Sequence, residues 1–209
     1  MHALPESPAA ERNKRPILEV LQRLLPPRGR MLELASGTGQ HAAWLAAGLP
    51  GWTWHPTEAS SAALPTIAAW VQAAGVTNVR PPCLLDVTDA RWPSDDEVLE
   101  SDFGPAFDAV FCANLLHIAA WTVCEPLMQG VRRHLSPDGQ LLVYGPFLEG
   151  DVPTAPSNAE FDASLRRQNP AWGLRQREAV ERCAHDAGLR LRQRIAMPSN
   201  NLLLVFKPV

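Results

Sequence analysis

Met31-Leu32-Glu33-Leu34-Ala35-Ser36-Gly37-Thr38-Gly39-Gln40 decides the fold. Met31–Ala35 is apolar apart from Glu33 and reads as a short strand buried in a sheet. Ser36-Gly37-Thr38-Gly39 is a turn, and a helix follows through Ala47. Glycine lets the backbone approach closely and adopt dihedrals that side chains forbid. A strand delivering a glycine-rich turn to a helix opens a βαβ unit. In a doubly wound sheet that turn lies at the carboxyl edge, where ligands bind near the switch point.

The pattern repeats downstream. Trp52–His55 is a second strand with Glu58 just beyond it, and Ala59 to Ala74 can form a helix. Asn78–Leu85 is a third strand closed by Asp86, and Phe107–Ala113 a fourth. Ile118 to Leu135 reads as helical and stops at the turn Ser136-Pro137-Asp138-Gly139. Gln140–Tyr144 is a fifth strand. Strands alternating with helices imply a mostly parallel sheet with right-handed crossovers and helices on both faces. The end differs: a helix over Arg175–Ala187 leads to strand Leu189–Ala196, then Pro198-Ser199-Asn200-Asn201 turns straight into Leu202–Phe206. So short a link forces the last two strands antiparallel. The expected fold is α/β, Rossmann-like and doubly wound, with seven strands and one reversed strand in the C-terminal hairpin. Upstream, a helix over Pro16 to Leu25 precedes the first strand, and residues 1–10 form a loose leader.

Length and charge narrow the function. The 209 residues suit a single domain spanning 1–209. A net charge of −3 argues against broad nucleic-acid binding, which relies on a basic surface. No apolar run approaches the roughly 20 residues that span a bilayer, and the first residues lack a signal-peptide pattern. The expectation is a cytoplasmic protein without membrane association. Cys83, Cys112, Cys124 and Cys183 form no C-x-x-C pair and read as reduced thiols, with no metal site.

Three acids mark successive strand ends. Glu33 belongs to Glu33-x-x-x-Gly37-x-Gly39. Glu58 follows Gly39 by 19 residues (58 − 39), and its carboxylate can accept two hydrogen bonds from a ribose diol. Asp86 closes the third strand. Each has a plain alternative: a tight turn, a helix-start acid favoured by the helix dipole, or a turn aspartate. Gly37-x-Gly39-x-x-Ala42 also fits the dinucleotide fingerprint, with Glu58 as its acid. The helix before the first strand, the reversed hairpin and the lack of room for a second domain count against NAD.

Five parallel strands and a terminal antiparallel hairpin resemble the class I methyltransferases that use S-adenosylmethionine. Longer segments are more specific. Glu11-Arg12-Asn13-Lys14-Arg15-Pro16-Ile17-Leu18, Leu34 to His41, Asn114-Leu115-Leu116-His117-Ile118 and Tyr144-Gly145-Pro146-Phe147 are four of them. Thr154 to Asn158, Asn169 to Arg175 and Met197 to Asn201 are the others. Together they resemble the domain-of-unknown-function 938 family, which includes the animal methyltransferase-like 26 proteins, over nearly the whole chain from Glu11. The segment Ile118-Ala119-Ala120-Trp121 departs from it, since relatives carry Ser-Pro before the Trp. The resemblance implies S-adenosylmethionine as cofactor, with backbone at Ala35, Gly37 and Gly39 against its methionine end. Glu33 then organises the turn, Glu58 takes the ribose and Asp86 lies near the adenine amino group.

The acceptor would be a small molecule. Asn114 follows the fourth strand and can hold a polar substrate or the methionine moiety. His117 can move a proton near neutral pH, or simply be satisfied at a helix start. Tyr144, the only tyrosine, ends the fifth strand and can position a nucleophile or pack. Arg12, Asn13 and Lys14 can clamp an anionic substrate or the methionine carboxylate. Residues 145–175 form a connection long enough to be functional, a lid with a short helix near Ala159–Arg167. In it Asn158 and Trp172, with Phe161, are expected on the substrate. Oligomeric state is not legible.

Overall fold

The structure is a computed structural model that describes residues 3–92 and 106–209. A seven-stranded sheet carries it, in the order β3-β2-β1-β4-β5-β7-β6. The strands are β1 (Gly29–Leu34), β2 (Trp52–Glu58), β3 (Cys83–Leu84), β4 (Phe107–Ala113), β5 (Leu135–Gly145), β6 (Leu189–Met197) and β7 (Asn201–Pro208). β1 to β5 pair in parallel, and β7 runs antiparallel to both β5 and β6. β7 is therefore the single reversed strand. The expected α/β fold stands.

Among the described residues, six α-helices cover the sheet: α1 (Pro8–Leu24), α2 (Gln40–Gly48), α3 (Leu64–Ala74), α4 (Cys124–His134), α5 (Pro156–Gln168) and α6 (Arg177–Asp186). Alternate strand residues feed opposite layers. Met31, Ala109, Phe111 and Leu142 pack beneath Ile17, Leu21 and Leu45 of α1 and α2. Leu32, Val110, Cys112 and Leu141 pack against Leu127, Val131 and Val180 of α4 and α6. Strands buried on both faces are apolar at consecutive positions, as parallel sheets require. None of the four cysteines forms a disulfide.

Several boundaries differ from the sequence reading. α1 begins at Pro8, not near Pro16, because Ser7 caps it by accepting from the Ala10 N–H and Pro8 occupies the first turn. Residues 8–10 of the expected leader are thus helical, and residues 1–2 lie outside the described residues. Pro16 sits inside the helix, where its missing N–H leaves the Arg12 carbonyl without a helical donor. The third strand is only Cys83–Leu84, plus one bridge from Trp54 to Val79, since Pro81 and Pro82 offer no N–H to a ladder. The expected long helix from Ile118 is instead two short 3₁₀ turns, Leu115–His117 and Trp121–Val123, followed by α4. Ser136–Gly139 loop out as a bulge within β5, between the Phe107–Leu135 and Ala109–Gln140 pairs. Among the described residues, no helix is long and apolar enough to cross a membrane.

Candidate functional site

Ala35, Gly37 and Gly39 all take positive φ (54°, 58° and 88°), so the chain folds back sharply between β1 and α2. A left-handed alanine is strained, and such strain persists only where the surroundings enforce it. At Gly39 the constraint is steric: a Cβ there would lie 2.7 Å from Ile67 Cα of α3. At Gly37 a Cβ would meet nothing within 4 Å, so this glycine leaves open space beside the turn.

Two acids brace the turn. Glu58 accepts from the Gly37 N–H at 2.8 Å with one oxygen and from the Ala59 N–H at 2.9 Å with the other. Each oxygen keeps capacity for a further donor. Glu33 is buried and accepts from Trp54 Nε1 at 2.7 Å. Burial pushes its carboxyl up to about 7, although hydrogen bonds from Trp54 and Ser36 favour the ionised form. Asp86 stays exposed at the end of β3, where one oxygen accepts from both the Thr88 N–H and the Thr88 hydroxyl. That is the turn geometry open to any aspartate, and it leaves the second oxygen uncommitted.

A cavity of about 250 Å³ lies over the ends of β4 and β5. Asn114 and Tyr144 form its floor, joined by the Asn114 N–H donating to the Tyr144 carbonyl at 2.8 Å. Asn114 is left-handed (φ 61°), a conformation that asparagine tolerates better than most residues. Arg12 and Asn13 of α1, Asn158 and Phe161 of α5, and Ser199 and Asn201 after β6 supply the walls. Burial pushes the Tyr144 phenol up to about 12, against the Asn13 hydrogen bond and the Arg12 charge. Asn13 is itself held by His41 Nε2, which donates to its side-chain oxygen at 2.6 Å. Burial and the Lys14 charge bring His41 down to about 4. Asn158 donates to the Asn200 carbonyl at 3.1 Å and so ties α5 to the hairpin turn.

Six expected acceptor-site residues thus meet in one cavity: Arg12, Asn13, Asn114, Tyr144, Asn158 and Phe161. Three do not line it. Lys14 pairs with Glu11 at 2.6 Å and lies over the Trp44 ring, on another face of α1. Trp172 is half-buried in the connection before α6. His117 is fully buried, edge-on to Phe147, with neither ring nitrogen at hydrogen-bond distance from a partner. It lies behind Gly145, where an added Cβ would fall 2.2 Å from its Nε2. Burial and the Arg175 charge lower its pKa to about 3. His117 is thus set away from the cavity lining, because the 3₁₀ turn after Asn114 points the ring inward.

Sequence reasoning missed His41, Asn201 and Arg175. Arg175 donates to the carbonyls of Leu116 and Ala119, so it clamps the loop after Asn114 to the 169–175 segment. The familiar segments around all three were visible, but nothing in them announced the contacts. Among the described residues no cluster of His, Cys, Asp or Glu could hold a metal.

Residues 5–208 match the family described as protein of unknown function (DUF938). The chain belongs to that family. Its fold also matches solved structures. An O-methyltransferase family protein from Burkholderia thailandensis superposes with a TM-score of 0.76 at 19% identity, over 96% of this chain and 57% of that one. A methyltransferase of calicheamicin biosynthesis, with S-adenosylhomocysteine bound, gives 0.74 at 16%, over 96% and 55%. The mitomycin 7-O-methyltransferase gives 0.79 at 13%, over 96% and 54%. The likeness is one of fold, and this DUF938 chain spans little more than half the length of those proteins.

Proposed function

We propose that this protein is an S-adenosylmethionine-dependent methyltransferase acting on a small-molecule acceptor. One observation carries the reading: the left-handed glycine turn and the acceptor-sized cavity share the same carboxyl edge, and Asn114 stands between them. β4, which Asn114 follows directly, is hydrogen-bonded to β1 on one side and to β5 on the other. The residues present fit the cofactor. Gly37 leaves open space at the turn, and the Glu58 oxygens retain acceptor capacity for a ribose diol. Backbone at Ala35, Gly37 and Gly39 would hold the methionine end, with Glu33 beneath it, and Asp86 would offer its free oxygen to the adenine amino group. When bound, the cofactor supplies a methyl group on an activated sulfonium. The chain's own residues align the acceptor and exclude water, since reaction in line gains chiefly from positioning. A neighbour that holds S-adenosylhomocysteine supports the cofactor choice.

A second reading is a cofactor-binding protein without turnover. The burial of His117 favours it, because no imidazole or carboxylate is among the described residues lining the cavity. Titration calorimetry separates the cofactors: S-adenosylmethionine and S-adenosylhomocysteine bind and NAD does not. Tighter binding of NAD would overturn the assignment. Labelled methyl transfer into a small-molecule extract then separates enzyme from binder. Within the family, the sequence segments support a relationship to the animal methyltransferase-like 26 proteins, and the proposed site of action is the cytoplasm. The 145–175 connection acts as the lid over the cavity.

A further inference from the structure

We propose that the acceptor atom is an oxygen of a carboxylate, so that the product is a methyl ester and no protein base takes part. The inference rests on the methyltransferase reading and names the substrate class of its cavity. Arg12 and Tyr144 are the only ionisable groups among the described residues that line it. The remaining polar wall is amide and hydroxyl, with Asn13, Asn114 and Asn158 supplying donors, while the Asn201 amide donates to the Pro198 and Ser199 carbonyls. One fixed cation in a ring of hydrogen-bond donors is complementary to one anion. A guanidinium takes a carboxylate through two parallel, charge-assisted bonds.

An alcohol acceptor would have to shed a proton, and none of the described residues lining the cavity is placed to receive it. Tyr144 is held in its protonated form by burial. His117 lies behind Gly145 and His41 behind Asn13, and burial keeps both imidazoles poor proton acceptors. Glu11, on the same helix, is turned to Lys14 and does not line the cavity. A carboxylate removes the problem, because it is ionised before it binds.

The step balances without a proton. A lone pair on the carboxylate oxygen forms the new bond to the methyl carbon as the sulfur–carbon bond breaks. That bond's electron pair stays on sulfur, and the sulfonium becomes a neutral thioether. Acceptor and donor lose their opposite charges together. The ester no longer attracts Arg12, which favours its release.

The cofactor's own methionine carboxylate is the other anion that Arg12 could meet. The lining argues against it. Every wall comes from α1, α5, the ends of β4 and β5 and the β6–β7 turn, and none from the β1–β3 half that carries Glu33, Gly37 and Glu58.

The test uses the full chain with methyl-labelled S-adenosylmethionine and a small-molecule cell extract. Mild alkali should release the transferred label as volatile methanol, the signature of an ester. Alkali-stable label overturns the inference and leaves the methyltransferase reading intact. No transfer to any acceptor, with S-adenosylhomocysteine still bound, overturns both. A binding arm needs no turnover. With S-adenosylhomocysteine saturating, benzoate should bind at least about tenfold tighter than neutral benzamide, as a bidentate charged contact implies. Arg12→Gln should abolish that preference, Arg12→Lys should restore part of it, and neither should alter S-adenosylhomocysteine affinity. Equal binding of benzoate and benzamide by the parent, or loss of S-adenosylhomocysteine affinity in Arg12→Gln, would refute it.

Discussion

Along one edge of the sheet, the β1–β3 half of the site is shaped by backbone and the β4–β7 half by side chains. In the first half three left-handed residues fold the turn, and the Glu58 carboxylate holds it through main-chain N–H groups. In the second, amides, one phenol and one guanidinium from five separate elements converge on a cavity. Backbone geometry tolerates almost no substitution, whereas a side-chain wall can be changed residue by residue. The difference suits a fixed cofactor on one side and an adaptable acceptor on the other.

The largest expected effect tests the backbone half. Gly39→Ala forces a Cβ against the α3 backbone at a φ of 88°. It should cost about 3–5 kcal/mol of stability, combining left-handed strain with overpacking. Gly37→Ala, with open space around it, should cost only about 1 kcal/mol, the left-handed penalty alone. Urea unfolding of both variants reads the contrast. Equal losses would mean that the turn is strained as a unit and that Ile67 has no special part.

Next in size is a pH effect at Glu33. Its folded pKa, about 7, lies above the ordinary 4.5, so the folded state holds the proton more tightly than the unfolded chain. The stability it lends is complete below about 4.5 and is lost as pH rises toward 7, on the order of 3 kcal/mol at 1.36 per unit. His41, His55 and His117 are depressed and act in the opposite sense, weakening the fold as pH falls below 6.5. The measurement is therefore a difference between variants. Glu33→Gln keeps an acceptor for Trp54 and should gain on the parent steadily between pH 4.5 and 7. A constant gap across that window would show that Glu33 does not titrate there.

The same division explains what could be read from the sequence. Glu33, the glycine turn and Glu58 lie within 26 residues, and their strand-turn-helix spacing is a local signal. The reversed hairpin was equally legible, because a four-residue link permits no crossover. Errors arose where one local signal concealed another. Pro16 reads as a helix start, but Ser7-Pro8 supplies a better one. Pro81-Pro82 cut short a run whose apolar pattern was right. The cavity joins residues up to 192 positions apart, from Ala9 to Asn201 (201 − 9), which no spacing rule detects. Tyr144 and Asn114 could be placed beside strand ends because strand ends are predictable. The burial of His117 was not legible, because it depends on Phe147 and on the segment clamped by Arg175, both distant in sequence.

His117→Ala sharpens the side-chain half. Removing a packed ring should cost about 1–3 kcal/mol, moderated because the two ring nitrogens have no partners to lose. Turnover per folded molecule should hold, whereas loss of a general base would lower it by about 10²–10⁴-fold. Chemical unfolding alongside single-turnover methyl transfer distinguishes the two, and a rate loss without a stability loss would return the ring to the chemistry.

The smallest effect lies at the open end of the backbone half, where Glu58 and Asp86 can be compared directly. Glu58 is half-buried and its carboxylate is built into the turn, so Glu58→Ala should weaken S-adenosylhomocysteine binding by about 1–3 kcal/mol. Asp86 is exposed, and one of its oxygens already serves both Thr88 donors. Only the other oxygen can meet an adenine amino group, and water competes for it. Asp86→Asn keeps the acceptor for Thr88 but turns a donor toward the adenine donor. It should leave stability unchanged and cost about 0.5–1 kcal/mol of affinity, the net worth of an exposed hydrogen bond. Asp86→Ala should lose the same affinity and some stability too, because the Thr88 turn goes with it. Calorimetry on the two variants decides the matter. If Asp86→Asn binds as the parent does, the carboxylate serves the turn alone, and cofactor recognition on this side ends at Glu58.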